Sequence, residues 1–284
     1  MRRDPHAWGI DRARWTLHPL LDVCDWLRIG TESGVAHLLH RLGITYKRGR
    51  DYVHSPDGDY LAKLASIDQI VAAARASAGR LIALYMDEVT YYRQPTVARA
   101  YEEAGPEQAR AVRSHRANTP TRVVAGLDVV TGRVLYRQAS HLGIRELVAF
   151  YQQVRAGYPE AERLYLIQDN WPIHFHPDVL VALEEQENPW PMYRPRNWSL
   201  EPTPKAVKRW GSLDLPIQLV PLPTYASWTN PIEKLWRWLK QDVLHLHRLS
   251  DRLEALRHSV CCFLDRFAYG SQELLRYVGL LVPA

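Results

Sequence analysis

The sequence predicts an α/β protein: a mixed sheet flanked by helices, preceded by a small all-α region. Three observations carry this. Apolar residues recur at helical spacing through residue 78; from Leu81 short apolar runs bounded by turn residues take over; after Ile144 helical and strand-like stretches alternate. A chain of 284 residues accommodates one large domain and a small one. The change of texture divides it into residues 1–78 and 79–284.

Leu17, Leu20, Leu21, Cys24 and Leu27 line one face of a first helix, with Thr16 placed to cap it and Gly30 to close it. Val35, Leu38, Leu39 and Leu42 line a second, stopped by Gly43. Two short helices joined by a Gly-containing turn match a helix-turn-helix. The second helix exposes Thr31, Glu32, His37, His40 and Arg41 and runs into Tyr46-Lys47-Arg48-Gly49-Arg50, so residues 28–50 carry five basic residues against one acid. A nucleic-acid-binding unit and a small helical bundle with a solvated face both fit this pattern. Ser55-Pro56-Asp57-Gly58 is a turn, and Ile67 to Ala78 a linking helix.

Leu81 to Met86 reads as a buried strand ending on Asp87-Glu88. Arg122 to Asp128 and Gly132 to Tyr136 flank a turn and form a hairpin. Ile144 to Val154 is an amphipathic helix, and Arg163 to Gln168 a strand ending on Asp169-Asn170. Pro177 to Glu185 reads as helix, Ile217 to Val220 as strand. Asn230-Pro231-Ile232-Glu233 opens a long helix whose Ile232, Leu235, Trp236, Leu239 and Val243 face the core. Between the helix over Pro177–Glu185 and the strand over Ile217–Val220 lies an insertion of about residues 188–215, rich in Pro and Trp, with Arg194, Arg196, Lys205, Lys208 and Arg209.

Composition narrows the function classes. Hydrophobic residues make up 46 % and charged residues 24 %, an ordinary globular balance. No apolar run reaches membrane-spanning length, and Met1-Arg2-Arg3-Asp4 does not open a signal peptide. Cys24, Cys261 and Cys262 have no zinc-ligand spacing and fit a reducing, cytoplasmic setting. A net charge of +5 permits nucleic-acid binding without establishing it.

Three acids stand where chemistry is commonly placed. Asp87 and Asp169 follow apolar strands, and Glu233 lies in the first turn of a helix. Carboxylates converging from separate elements repel one another unless cations lie between them. Such hard oxygen donors suit Mg²⁺ or Mn²⁺, and a pair of ions could activate a hydroxyl and stabilise the leaving oxygen of a phosphoryl displacement. Turn or cap roles compete with this reading, above all a capping box of Asn230, Pro231 and Glu233. Asp128, before the hairpin turn, and Asp178, after Pro177, read as structural.

The residues around the acids tip the balance. Gln168-Asp169-Asn170-Trp171-Pro172-Ile173-His174 and the run from Leu222 to Trp236, containing Asn230-Pro231-Ile232-Glu233, resemble the second and third signature blocks of the Asp-Asp-Glu (DDE) transposases. More narrowly, they are similar to the bacterial insertion-sequence branch of the Tc/mariner superfamily. Tyr85-Met86-Asp87-Glu88 resembles the first block, and His40 to Arg48 the end of that family's second DNA-binding helix-turn-helix. The resemblance implies a ribonuclease-H-like fold with Asp87, Asp169 and Glu233 as catalytic, metal-binding triad for two Mg²⁺ or Mn²⁺ ions. Asn170, His174 and Asn230 would support that triad. It implies binding to double-stranded DNA at terminal inverted repeats, nicking by hydrolysis, attack of the freed 3′-hydroxyl on target DNA at TA dinucleotides, and a homodimer on DNA. His37, His40, Arg41, Lys47, Arg48 and Arg50 are the expected DNA contacts of the first region, and the five basic residues of the insertion those of the second.

The sequence departs from the family pattern twice. Sixty-three residues separate Asp169 from Glu233, about double the usual spacer, and the excess maps onto the insertion. A DNA-contacting flap, with Trp on unstacked bases, and a lid whose Trp side chains pack on the domain are both expected forms for it. At the front, Trp8 to Leu17 resembles the junction between two helix-turn-helix units, of which only the second follows. A split reading frame, a truncated copy and a decayed element all fit that departure. Two other functions therefore stand beside a transposase: a non-catalytic DNA-binding remnant or repressor, and a ribonuclease-H-like nuclease of another kind.

Overall fold

A computed structural model of the chain describes residues 4–46, 54–185, 189–190 and 194–281. The chain forms two compact units, Met1–Val53 and His54–Ala284. In the first, α1 (Leu17–Val23) packs on α2 (Glu32–Arg41) around the buried Leu20 and Val35. The helix expected over 17–27 breaks at Cys24 and resumes as one 3-10 turn, Asp25–Leu27, closed by a left-handed Arg28 with φ 52° rather than by Gly30. Asp25 supplies the reason: its carboxylate accepts the Trp26 N–H at 2.7 Å, a local bond that competes with helix continuation. Thr16 makes no side-chain cap for α1, whereas Thr31 Oγ1 accepts the Gly34 N–H at 3.1 Å and caps α2.

The second unit begins with α3 (Tyr60–Ala76), longer than the linking helix expected over 67–78 and packed with the sheet through Ile67, Val71 and Ala74. The strands are β1 (Leu81–Tyr92), β2 (Pro120–Asp128), β3 (Val134–Ala139), β4 (Arg163–Gln168) and β5 (Ile217–Pro221). They form one mixed sheet in the order β3-β2-β1-β4-β5. β1 pairs antiparallel with β2 and parallel with β4, which pairs parallel with β5. The β2–β3 turn needs Gly132, whose φ is +70° and whose missing Cβ would collide with the Ser271 carbonyl.

Alternation along β1 divides the core. Ala83, Tyr85, Val89 and Tyr91 face one layer, formed by α3, α7 (Ile232–Leu239), α8 (Leu253–Asp265) and α9 (Gln272–Val278). Ile82, Leu84 and Met86 face the other, where α4 (Ile144–Gly157) buries Leu147, Val148, Phe150, Tyr151 and Val154. The sheet is thus covered on both faces, as its near-continuous apolar strands require.

Further expected boundaries shift. β1 extends six residues past Met86, because Val89, Thr90, Tyr91 and Tyr92 continue the ladder with β2 as far as Tyr92 opposite Pro120. The helix expected over 177–185 is only α5 (Pro177–Leu180); Leu183 beyond it bridges to Leu215 instead. The long helix expected from Asn230 is α7 followed by a π-helical turn, Lys240–Leu244. Among the described residues, no helix is long and apolar enough to cross a membrane.

Candidate active site

Asp87 lies inside β1, not at its end, yet it sits at an opening of the sheet. Pairing between β1 and β4 stops at Tyr85 opposite Ile167, while pairing between β1 and β2 continues. Two residues past that point Asp87 faces a gap on the β4 side. Asp169 directly follows β4, and Glu233 stands in the first turn of α7. The three carboxylates line one open cavity of about 570 Å³, with Asn170, Trp171, Asn230 and the segment Leu222–Ser227.

Each acid is held differently. The Trp236 indole N–H, one helical turn after Glu233, donates to Asp87 Oδ2 at 2.9 Å. The Trp171 N–H donates to Asp169 Oδ1 at 3.1 Å, an Asx turn that ties the carboxylate to the chain just after it. Glu233 is exposed to the cavity, and the start of its helix is pinned from below. Asn230 does not form the capping box that its sequence resembles: its Nδ2 donates to the Met86 carbonyl at 3.1 Å, while only its backbone carbonyl accepts the Glu233 N–H. The amide reaches β1 because α7 stacks on that strand, a contact invisible in local spacing. It ties Glu233's helix to the residue before Asp87.

Asn170 serves the neighbouring segment. Its Nδ2 donates to the Leu222 carbonyl at 2.8 Å, while the Leu222 N–H donates to the Gln168 carbonyl at 2.8 Å. His174 is buried, its side chain 1 % exposed, with Nε2 3.4 Å from Glu88 Oε1 and 3.6 Å from Asp169 Oδ1. Glu88 is the site residue absent from the sequence-predicted set. Its signal was its place beside Asp87: strand alternation turns it to the opposite face, under α4.

Electrostatics separates the two groups. Burial, then the Glu88 and Glu233 carboxylates, push Asp87 up to about 8, against the pull of the Glu88 amide and the Trp236 indole. Asp169 is also raised, by loss of solvent and by Glu88, with His174 opposing. Burial works to lower His174, but Glu88, Asp169 and Asp87 outweigh it and hold the imidazole above its ordinary value. Two donor sets therefore overlap at Asp169: Asp87, Asp169 and Glu233 around the cavity, and Glu88, Asp169 and His174, whose ligand atoms lie within 4.8 Å of one another. The fit to divalent cations is good on both counts. Burial and the nearby carboxylates disfavour the ionised form of Asp87, which a cation would favour, and the acids of the cavity present hard oxygen donors.

The lining of this cavity includes none of the insertion's basic residues. His37, His40 and Arg41 are exposed on α2; Lys47, Arg48 and Arg50 lie outside the described residues. In the insertion, Arg196, Lys205, Lys208 and Arg209 are exposed and Arg194 half-buried. Its tryptophans pack: Trp198 meets His176 edge-on with ring centroids 4.5 Å apart, and Trp210 lies against the α4-side core. α6 (Pro204–Trp210) buries Ala206, and Thr203 donates through its N–H and hydroxyl to Asp178 at 2.6 and 3.0 Å. Asp178 is structural, as is Asp128, which accepts the Val130 and Thr131 N–H groups and the Tyr158 hydroxyl.

The family model for DDE superfamily endonucleases matches residues 83–257, more than half of the chain and all three acids. The chain belongs to this family. In sequence it is 23 % identical over 263 residues to an insertion element IS630 uncharacterized 39 kDa protein from Shigella sonnei. That match takes in 90 % of this DDE endonuclease-family chain, which spans 66 % of the relative's length. In fold it is similar to the Mos1 transposase paired-end complex with left transposon end, with a TM-score of 0.58, 14 % identity, and coverage of 97 % of this chain and 73 % of that one. The Mos1 mariner paired end complex with Mn gives a TM-score of 0.58 at 16 % identity, again covering 97 % and 73 %. The likeness in sequence is thus to a bacterial insertion-element protein and the likeness in fold to a mariner transposase, as the motif resemblance implied.

Proposed function

We propose that this DDE-family chain is a DNA transposase that cuts transposon ends and joins them to target DNA. The observation that carries the reading is the meeting of Asp87, Asp169 and Glu233, from a strand, a strand end and a helix start, around one open cavity. Such a set is costly to assemble without cations: burial first, then the Glu88 and Glu233 carboxylates, drive Asp87 up to about 8. Asp87, Asp169 and Glu233 would hold Mg²⁺ or Mn²⁺, as a pair of ions. Bound there, the ions would supply Lewis-acid stabilisation of the attacking and leaving oxygens.

The chain's own residues do the positioning. Trp236 fixes the Asp87 carboxylate, Asn230 anchors Glu233's helix to β1, and His174 with Glu88 orients Asp169. In the first step a water oxygen bonds to the phosphorus at the transposon end; the P–O3′ bond breaks and the 3′-oxygen leaves with a proton. In the second step that 3′-hydroxyl attacks a target phosphate, whose own 3′-oxygen departs. One phosphodiester replaces another, so joining needs no external energy source and no covalent protein–DNA intermediate.

DNA capture falls to the exposed face of α2 and the basic stretch after it, with His37, His40, Arg41, Lys47, Arg48 and Arg50 on terminal inverted repeats. Arg194, Arg196, Lys205, Lys208 and Arg209 are assigned to phosphates elsewhere on the duplex. Insertion at TA dinucleotides and a homodimer on paired ends complete the reading. Mg²⁺- or Mn²⁺-dependent nicking of a duplex bearing the repeats that flank this gene, lost in Asp169→Asn, tests the catalytic part. Strand transfer into a plasmid separates a transposase from a nuclease of another kind. End binding without nicking by the wild-type chain would instead identify a DNA-binding remnant or repressor.

A further inference from the structure

Among the described residues, Asp57 and Lys63 form the only Lys or Arg to carboxylate pair with both side chains shut off from water, each 6 % exposed, at 2.8 Å. A buried pair of this kind adds little stability by itself, because desolvation offsets most of the attraction. Its neighbours show what it holds. Asp57 Oδ2 also accepts the Thr224 N–H at 2.8 Å, and the Ser55 hydroxyl donates to the Thr224 carbonyl at 2.6 Å. Both backbone polar groups of Thr224 are therefore taken by a segment 167 to 169 residues earlier in the chain. Burial works against the Asp57 carboxylate, yet the bonds from Lys63, Thr224 and the Asp59 N–H outweigh it and hold it down to about 2. The Trp228 indole N–H reaches the Tyr60 hydroxyl at 3.4 Å, and the Lys63 ammonium lies 5.7 Å from the centre of the Trp190 ring, in the insertion.

Thr224 belongs to the strap Leu222–Ser227 that walls the carboxylate cavity and leads into Asn230 and Glu233. The next residue, Tyr225, has φ +53°, a left-handed conformation for a residue with a Cβ. Such a conformation is disfavoured for a residue with a Cβ and persists only where its surroundings hold it. Leu222 is fixed to the end of β4 and Asn230 to β1, so Thr224 is the middle tether of the strap.

We infer that Ser55, Asp57 and Lys63 form a positioning clamp for the active-site strap. They set the conformation at Thr224–Tyr225 and, through the strap, the place of Glu233. The clamp begins two residues past the boundary of the helix-turn-helix unit, so the first residues of the sheet-bearing unit are part of its catalytic apparatus. The catalytic consequence rests on the transposase reading; the structural one does not.

The test uses the full chain in two variants. Ser55→Ala keeps the ion pair. The triple variant Ser55→Ala/Asp57→Ala/Lys63→Met removes the clamp without leaving a buried charge behind. Hydrogen exchange read by mass spectrometry should rise about ten-fold or more in peptides spanning 222–231 of the triple variant, less in Ser55→Ala, and stay unchanged in peptides of β1. Nicking at saturating metal and DNA should fall at least about ten-fold, as expected for displaced catalytic groups, with end-binding affinity within about two-fold of wild type. Unchanged strap exchange in either folded variant would overturn the clamp. Faster exchange with an unchanged nicking rate would overturn its positioning role. If the wild-type chain does not nick at all, the transposase reading fails and exchange alone decides the clamp.

Discussion

Asp87 and Glu88 are adjacent acids on one strand, and the sheet gives them opposite surroundings. Asp87 faces the open cavity, with Glu233 nearby and a neutral indole as its side-chain donor. Glu88, 14 % exposed, faces the closed layer under α4, where His174 brings it a group that can carry positive charge. The difference teaches what makes a carboxylate a ligand rather than a support. On the open side charge accumulates without a cationic partner and is poised to take one from solution. On the closed side the Glu88 carboxylate has the His174 imidazole beside it, and that imidazole in turn lies against Asp169. Asp169 touches both sets and is where the closed side acts on the open one.

The strongest way to break the comparison is to remove an open-side acid. Asp87→Asn, Asp169→Asn or Glu233→Gln should each lower nicking by about three orders of magnitude or more, the scale on which lost electrostatic stabilisation is felt. End binding in a gel-shift assay should stay near wild type. Closed-side changes should cost less: Glu88→Gln or His174→Gln should weaken Mn²⁺ activation by about 10–100-fold, as changes to groups that orient ligands do. A titration of nicking rate against Mn²⁺ would show this as a shifted midpoint, with much of the rate regained at high metal. Equal loss from Glu88→Gln and Asp87→Asn, without recovery, would erase the distinction.

A smaller effect is expected from the insertion. Neutralising Arg194, Arg196, Lys205, Lys208 and Arg209 together should weaken end binding and flatten its dependence on salt, since each lost phosphate contact releases fewer counterions. An unchanged salt slope would remove the insertion from the DNA interface and leave its packed tryptophans as its main role.

The smallest signal is in stability against pH. Asp87 has a folded value of about 8 against an ordinary 3.8, so the folded state holds its proton more tightly than the unfolded one. That contribution is fully present below about pH 4 and is lost as pH rises towards and through 8. Melting without divalent metal should therefore shift to lower temperature across this window. Added Mn²⁺ should raise the melting temperature by a few degrees, more at pH 8 than at pH 5, because binding displaces the proton. In Asp87→Asn both the pH trend and the metal increment should shrink.

Much of this site was legible in the sequence. The acids sit inside motif blocks that name them, and β4 runs over Arg163–Gln168 as its apolar pattern indicates. What escaped depended on distant partners. β1 continues past Asp87 because β2 pairs with its polar-looking end, so a strand-end acid is really an acid beside the last β4 pair. Asn230 has the local spacing of a cap yet donates to Met86, 144 residues away. Glu88 acquires its role only once α4 and His174 cover one face of the sheet. Ser55 and Asp57 look like an ordinary turn until Thr224 is placed against them.

The central claim is that Asp87, Asp169 and Glu233 hold divalent cations to cut DNA, and one assay bears on it most directly. The chain is incubated with a duplex carrying the inverted repeats that flank its gene, in Mg²⁺ or Mn²⁺, and the strands are resolved on a denaturing gel. Metal-dependent nicks leaving a 3′-hydroxyl at the repeat end, absent in an Asp169→Asn protein that binds the same duplex equally well, are the predicted result. Binding without nicking in either ion, or nicking that survives in Asp169→Asn, would contradict it.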